Sequence, residues 1–535
     1  MELTFSVDPM LALRQVSQMS RRAPLDPKFE KALPAGRRAP SAPVACCTLR
    51  RCRRHGGVWA QVAAAALAAS LALALAGCST PVLKSSVEVP GQYAASPAEQ
   101  AEPEAAWWDN FGDPVLSDLV RRSALANRDI KMAAQRVRAA RAGETVSRSW
   151  LYPSVGVSAA GLAYNTGYGS PAKQAVPDIK AVGAGVDVSW EIDISGRLRA
   201  GAAAAAADAM ATEDSARGVR LLVMTDIATN YFTLVGALRQ LETVRAISAA
   251  QDETLRLVSA RQRVGLATPF DVERAQTEAS RARAAIPPLE TVAAGARHRI
   301  AVLIGDQAFN AARVVPWSGN AVVPAAQPGQ PAALLERRPD LLALQAQLDA
   351  ANARRRQAKA EYFPRLSISA LLGGQNVELN SFNAGTTGFG LVAGLLAIPV
   401  FNAGRTRAIN EIAESGQSET LIRYEDGIVR ALEDVENALV ALRDERQRAD
   451  SLQTAATAAE AALGHAQSLY NRGQIDLLPL LDAQRQRLLV RVSANDSNTQ
   501  LLLDSVQLYK ALGGGWQVFD PIKPAAAGTA RSPQS

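Results

Sequence analysis

The sequence predicts a mainly α-helical chain that also carries membrane-spanning β-strands, four per chain, in a fold that closes only when several copies associate. Three observations predict it. The body of the chain is written twice. Residues 197–264 and 404–470 each run in helical phase without a proline. Short stretches between the helices alternate apolar with small or polar residues, the pattern of a strand with lipid on one side and water on the other.

The duplication is read first, because a repeat decides the fold. Leu151-Tyr152-Pro153-Ser154-Val155-Gly156-Val157-Ser158 matches Tyr362-Phe363-Pro364-Arg365-Leu366-Ser367-Ile368-Ser369, with the prolines 211 residues apart. Ser195-Gly196-Arg197-Leu198-Arg199 matches Ala403-Gly404-Arg405-Thr406-Arg407 at an offset of 208. Gly265 and Ala275-Gln276 match Gly473 and Ala483-Gln484 at the same 208.

Each repeat begins with a helix ending at a proline, about 115–150 and 333–361. Two strands around a Gly/Asn/Ser-rich loop follow. Gly-Arg then opens a long helix, about 197–264 and 404–470, and a glycine turn returns the chain as a second helix, about 270–304 and 480–512. Leu421, Tyr424, Ile428, Leu432, Val435, Leu439 and Leu442 step by three and four, as a coiled-coil seam does, although an ordinary bundle helix has the same period. Length separates the two: residues 197–264 form a rod on the order of 100 Å long by the α-helical rise, more than a compact domain needs.

The clearest strand is Val182, Ala184, Val186, Val188, Trp190, Ile192 and Ile194 alternating with Gly183, Gly185, Asp187, Ser189, Glu191 and Asp193. Leu366, Ile368, Ala370 and Leu372 repeat it, while Phe389–Val400 is apolar on both faces. An open sheet edge is not tolerated in lipid, so four strands need other copies. Three copies make a twelve-stranded barrel and a matching helical cylinder; a tetramer also closes the edges.

The net charge of +7 lies outside this body. Residues 1–77 hold 11 basic and 4 acidic residues, leaving 47 of each in the remainder, which gives no support to a nucleic-acid surface. Cys46, Cys47, Cys52 and Cys78 are the only cysteines, so the body has no disulfide framework and no thiolate metal site. His55, His298 and His465 are too few and too scattered for zinc chemistry or a catalytic triad, and no phosphate loop or nucleophile elbow appears. The chain is read as a non-enzyme with no metal.

Arg50, Arg51, Arg53 and Arg54 precede the charge-free stretch Val58–Gly77, a basic region followed by an apolar one. The stretch is also long enough for a retained membrane helix. Leu75-Ala76-Gly77-Cys78 resembles a bacterial lipobox and decides for cleavage, with Cys78 as the lipidated first residue. In the lipoprotein class it resembles, Ser79 in place of an aspartate permits onward transport to the outer membrane. Residues 1–49 are read as a mis-called translation start.

The ordered parts resemble the outer-membrane factor family of tripartite efflux and type I secretion systems, the TolC/OprM/NodT type. The resemblance covers about residues 100–515. It rests on the lipobox, the duplication, the Gly-Arg pairs and two turn signatures: Arg263-Val264-Gly265-Leu266-Ala267-Thr268-Pro269-Phe270-Asp271-Val272, and Tyr470-Asn471-Arg472-Gly473 with Leu480-Leu481-Asp482-Ala483-Gln484. It implies a homotrimer whose twelve-stranded outer-membrane β-barrel continues into a long periplasmic α-helical barrel with an equatorial belt. The division is a leader (1–77), a lipidated segment (78–114), a first repeat (115–304), a linker (305–332), a second repeat (333–512) and a disordered tail (513–535).

The resemblance further implies a passive exit duct for small molecules, served by an inner-membrane pump and a periplasmic adaptor. Its alternatives are a type I protein secretion duct and a structural lipoprotein without a channel; the latter leaves the alternating strands unexplained. No cofactor is expected beyond lipid on Cys78. The adaptor-contact candidates are Val264, Gly265, Leu266, Thr268 and Pro269 at one tip and Gly473 at the other. The gate candidates are Leu478 and Asp482, one helical turn apart, with Tyr470 holding the closed state. Pro479 stands where some family members carry a further acid.

Overall fold

The protein is described by a computed structural model covering residues 80–95, 104–173, 175–306, 314–316, 322–325, 327–380 and 382–519. The leader, Cys78 and residues 520–535 lie outside the described residues; the expected disordered tail does not begin at 513, because Trp516–Phe519 forms a short helix with Trp516 buried in the core.

The two long helices have the same length. Arg197–Arg263 (α3) and Arg405–Asn471 (α7) each contain 67 residues, and each starts after a glycine in the left-handed region, Gly196 at φ 76° and Gly404 at φ 86°. Side chains with a Cβ rarely adopt that conformation, which is why Gly-Arg recurs. The Asp193 carboxylate then accepts the Leu198 and Arg199 N–H groups at 3.2 and 2.9 Å, satisfying donors that a helix start leaves free.

The shorter helices are more broken than their sequence period suggests. The stretch expected as one helix at 115–150 is Pro114–Ala126 (α1) and Arg128–Ser149 (α2). Asn127 divides them: its side chain caps the second helix through Asp129 and Ile130, and its amide donates to the Leu303 carbonyl at 2.9 Å. The stretch expected at 270–304 is Pro269–Ala284 (α4) and Ile286–Leu303 (α5), because Pro287 and Pro288 lack the N–H groups that a continuous helix would need. In the second repeat a one-turn helix, Leu334–Arg337, precedes Pro339–Ala360 (α6). The last helix, Leu477–Ala511 (α8), begins three residues earlier than its period indicated.

The strands Ser154–Tyr164 (β1), Ile179–Ile192 (β2), Arg365–Leu379 (β3) and Phe382–Ala397 (β4) form one antiparallel sheet in chain order. The β2–β3 pair joins the two repeats. Cross-strand partners share a face. Val157, Val186 and Leu372 therefore line up on one face, as do Val188, Ala370 and Val392, and Ile192, Leu366 and Leu396. The opposite face carries Ser154, Ser189 and Ser369, with Ser154 and Ser189 joined by a 2.8 Å hydrogen bond. Register also sorts the apolar run of β4: Val392 and Leu396 join the apolar face, and Leu391 and Leu395 the other. Ile194, expected to extend the alternation, lies beyond the end of β2.

The core sits midway along the helices. Trp107, Trp108 and Phe111 pack against Ile227, Tyr231 and Phe232 of α3 and Tyr509 of α8, with Trp107 stacked on Tyr509 at 5.2 Å. The Tyr231 hydroxyl donates to Asp113 at 2.6 Å, and the other oxygen of that carboxylate caps α1. At Gly236 the helices α3 and α8 approach so closely that a Cβ would stand 2.4 Å from the Thr499 side chain. Residues 80–95 run along α6 and α7. Leu83 is bonded to Asn352 at 3.2 Å, the Gln417 amide donates to the Pro81 carbonyl at 3.2 Å, and Glu436 accepts the Ala94 and Ala95 N–H groups.

Candidate functional site: the helical tips

The two turns far from the sheet are built alike. At the first, the Gly265 N–H donates to the Gln262 carbonyl at 2.9 Å, and the Leu266 N–H to Arg261 at 2.8 Å. At the second, Gly473 donates to Tyr470 at 2.9 Å, and Gln474 to Leu469 at 2.9 Å. Paired bonds of this kind close a helix whose next residue is left-handed, and Gly265 and Gly473 have φ of 78° and 72°.

The turns differ in how the return helix starts. Thr268 and Asp271 form a reciprocal capping box, followed by Pro269 in the first turn. Backbone and side-chain hydrogen bonds from Thr268 hold the Asp271 carboxyl below its ordinary value. Asp476, at the start of α8, makes no side-chain cap. Val264 is 70% exposed and Leu266 74% exposed, so the first tip presents a small apolar surface on a well-fastened turn.

A small core holds the tips together. Val258 and Ala275 of the first hairpin pack with Leu477, Leu480 and Leu481 of the second. The Arg261 guanidinium sits 4.8 Å from the centre of the Tyr470 ring, and the Gln484 amide donates to the Thr254 hydroxyl at 3.2 Å.

Because α8 starts at Leu477, both Leu478 and Asp482 lie on it, one turn apart. Pro479 is tolerated because a first-turn N–H has no helical partner. Leu478 is 52% exposed and Asp482 is also exposed, whereas their neighbours Leu477, Leu480 and Leu481 are buried. The two candidates thus share a face turned away from the protomer's own seam. Tyr470 belongs to the small core instead.

Two participants were not anticipated from sequence. Arg261 reaches Tyr470 across the hairpins, a contact that no local pattern announces. Arg485 donates to Asp482 at 2.7 Å, and its three-residue spacing was a legible signal. Arg485 also borders a cavity of about 420 Å³ among Val244, Ile247, Gln251, Arg281 and Leu489. Among the described residues no cluster of His, Cys, Asp or Glu is arranged to hold a metal.

The sequence model of outer membrane efflux proteins matches residues 119–306 and 331–514. The pyoverdine export outer membrane protein OpmQ of Pseudomonas aeruginosa is 32% identical over 465 residues, covering 84% of this chain and 96% of that protein. The probable outer membrane lipoprotein SilC of Salmonella typhimurium is 29% identical over 439 residues, covering 80% and 93%. The solved structure of the outer-membrane channel OprN superposes with a TM-score of 0.72 at 28% identity, covering 82% of this chain and 99% of that one.

Proposed function

Because the chain belongs to the outer membrane efflux protein family, we propose that it is the exit duct of a tripartite efflux system, passing small molecules handed over by an inner-membrane pump and a periplasmic adaptor. It is an outer-membrane channel protein. The observation that carries the fuller reading is the sheet: one continuous apolar face across four strands, each repeat's pair leading into a 67-residue helix. That is a membrane wall continued by a rod, and it has no use in a compact catalytic domain.

The edges need other copies, and a homotrimer supplies them. β1 and β4 have no outer partner strand among the described residues, and unpaired backbone groups in lipid cost several kcal/mol each. Three copies remove every edge. Lipid on Cys78 suits a channel whose relative SilC is named as a lipoprotein. The tips formed by Val264, Gly265, Leu266, Thr268 and Pro269, together with Gly473, dock the adaptor. Their support is the exposed apolar pair on a fastened turn. Leu478 and Asp482 line the closed end, with Tyr470 holding it; their shared exposed face supports this. Export of small molecules is favoured over protein secretion by the relative named for pyoverdine export.

Two measurements test the reading together. Purified protein should conduct in planar bilayers, and deleting the gene should sensitise cells to small toxic solutes. A protein that inserts without conducting, or a deletion without any export defect, would refute it.

A further inference from the structure

A cleft of about 390 Å³ opens where the sheet meets the helices, lined by Arg355, Lys359 and Tyr362 on one side and Arg407, Glu411 and Glu414 on the other. Arg355 is used inside the protein, donating to Asn410 at 2.7 Å and to Glu414 at 2.9 Å. Arg407 is exposed and has no ion pair among the described residues, while Lys359, half-buried in the same cleft, already has an interaction within the protein. Glu411 lies one turn along from Arg407.

The surroundings are apolar. Tyr362 stands just before β3, and Ile398, Val400 and Phe401, which lead from β4 to α7, are 57%, 90% and 88% exposed. Aromatic and aliphatic side chains of this kind gather where a barrel leaves the hydrocarbon. Glu414, Glu425 and Glu436 recur every eleven residues, about three helical turns, so they share one face of α7. Glu425 and Glu436 accept backbone N–H groups from residues 86, 94 and 95, so the cleft opens on the face along which the N-terminal segment runs.

We propose that this cleft seats a phospholipid headgroup from the leaflet at the helix end of the barrel, its phosphate held by Arg407 and Lys359. The proposal rests on the outer-membrane channel reading above. Glu411 narrows the class. It repels a headgroup with net negative charge and accepts hydrogen bonds from a primary ammonium, which together describe phosphoethanolamine. The exposed Ile398, Val400 and Phe401 meet the acyl chains, which free phosphate lacks.

Native mass spectrometry of the delipidated oligomer in mild detergent tests this, with phosphatidylethanolamine, phosphatidylcholine, phosphatidylglycerol and inorganic phosphate as probes. Retention of phosphatidylethanolamine should exceed that of phosphatidylcholine, and the double variant Arg407→Gln, Lys359→Gln should lower it about fivefold or more, as loss of charge-assisted contacts implies. Glu411→Gln should remove the preference for phosphatidylethanolamine over phosphatidylglycerol. Arg430→Gln, further along α7 and paired with Asp426, should change nothing. Undiminished retention in the double variant, or equal occupancy by inorganic phosphate alone, would overturn the proposal. Planar-bilayer conductance of the same double variant should match the wild type. Failure of the wild type itself to conduct would count against the channel reading, while the lipid measurement would stand separately.

Discussion

The Arg261 guanidinium lies over the ring of Tyr470, 4.8 Å from its centre, and so ties the tip of the first repeat to the end of the long helix of the second. A partly exposed contact of this type contributes about 0.5–1 kcal/mol. Arg261→Ala should shift a closed channel toward opening by about two- to fivefold, read as single-channel open probability. Arg261→Lys should restore part of the effect. Unaltered gating in both variants would leave the contact with no role in closure.

A Cβ at Gly265 would meet no atom within 4 Å, yet the φ of 78° there strains any other residue. Gly265→Val should weaken adaptor cross-linking and small-solute export together, with a local cost of about 1–2 kcal/mol. Thr268→Ala, which removes the capping box, should cost about 1 kcal/mol of tip stability, visible as faster hydrogen exchange in the first turn of α4. Full export and cross-linking with valine at 265 would move the docking surface elsewhere.

Asp482 and Arg485 offset one another on the exposed face of α8. Replacing Asp482 by Ala leaves the arginine, so a pore lined there should lose cation preference and move toward anions. Arg485→Ala should do the reverse and strengthen block by divalent cations. Reversal potentials in a salt gradient report both. No change in either variant would place the pair away from the conduction path.

Burial raises the Asp504 carboxyl above its ordinary value; the Gln500 hydrogen bond opposes the rise and Glu445 adds to it. The folded protein therefore holds this proton more tightly than the unfolded chain does. The group costs little below the unfolded value of about 4, and destabilises progressively as pH climbs through its raised folded value. Asp504→Asn should raise the thermal midpoint at pH 7, with the gain vanishing in acid. A gain independent of pH would assign the effect to packing.

Cys78→Ser should abolish palmitate labelling while leaving the barrel able to insert, because twelve strands anchor more firmly than acyl chains do. Labelled mutant protein would move the lipid elsewhere.

The architecture was legible wherever one residue's choice repeats. The long helices announced themselves by seams free of proline, and β2 by alternation over a dozen positions. The breaks were missed because helical period continues across them. Asn127 and Pro287-Pro288 carried the signal, but as single capping and donor-lacking residues inside an otherwise regular pattern. Leu478 and Asp482 could be placed on one face from spacing alone, once α8 was seen to start early enough. Arg261 over Tyr470, and the path of residues 80–95 beside Asn352 and Glu436, depend on which helices become neighbours. No local pattern encodes that choice.

The equal lengths of α3 and α7 bind their histories together. Deleting one residue from either would turn its tip by about 100° and draw it back about 1.5 Å, parting Val258 from Leu480 and Arg261 from Tyr470. Deleting a heptad nearly keeps the rotation but shortens one arm by about 10 Å. Insertions and deletions in these helices should therefore be tolerated only as matched pairs, so that the reach of the duct would change in steps that both halves of the gene take together.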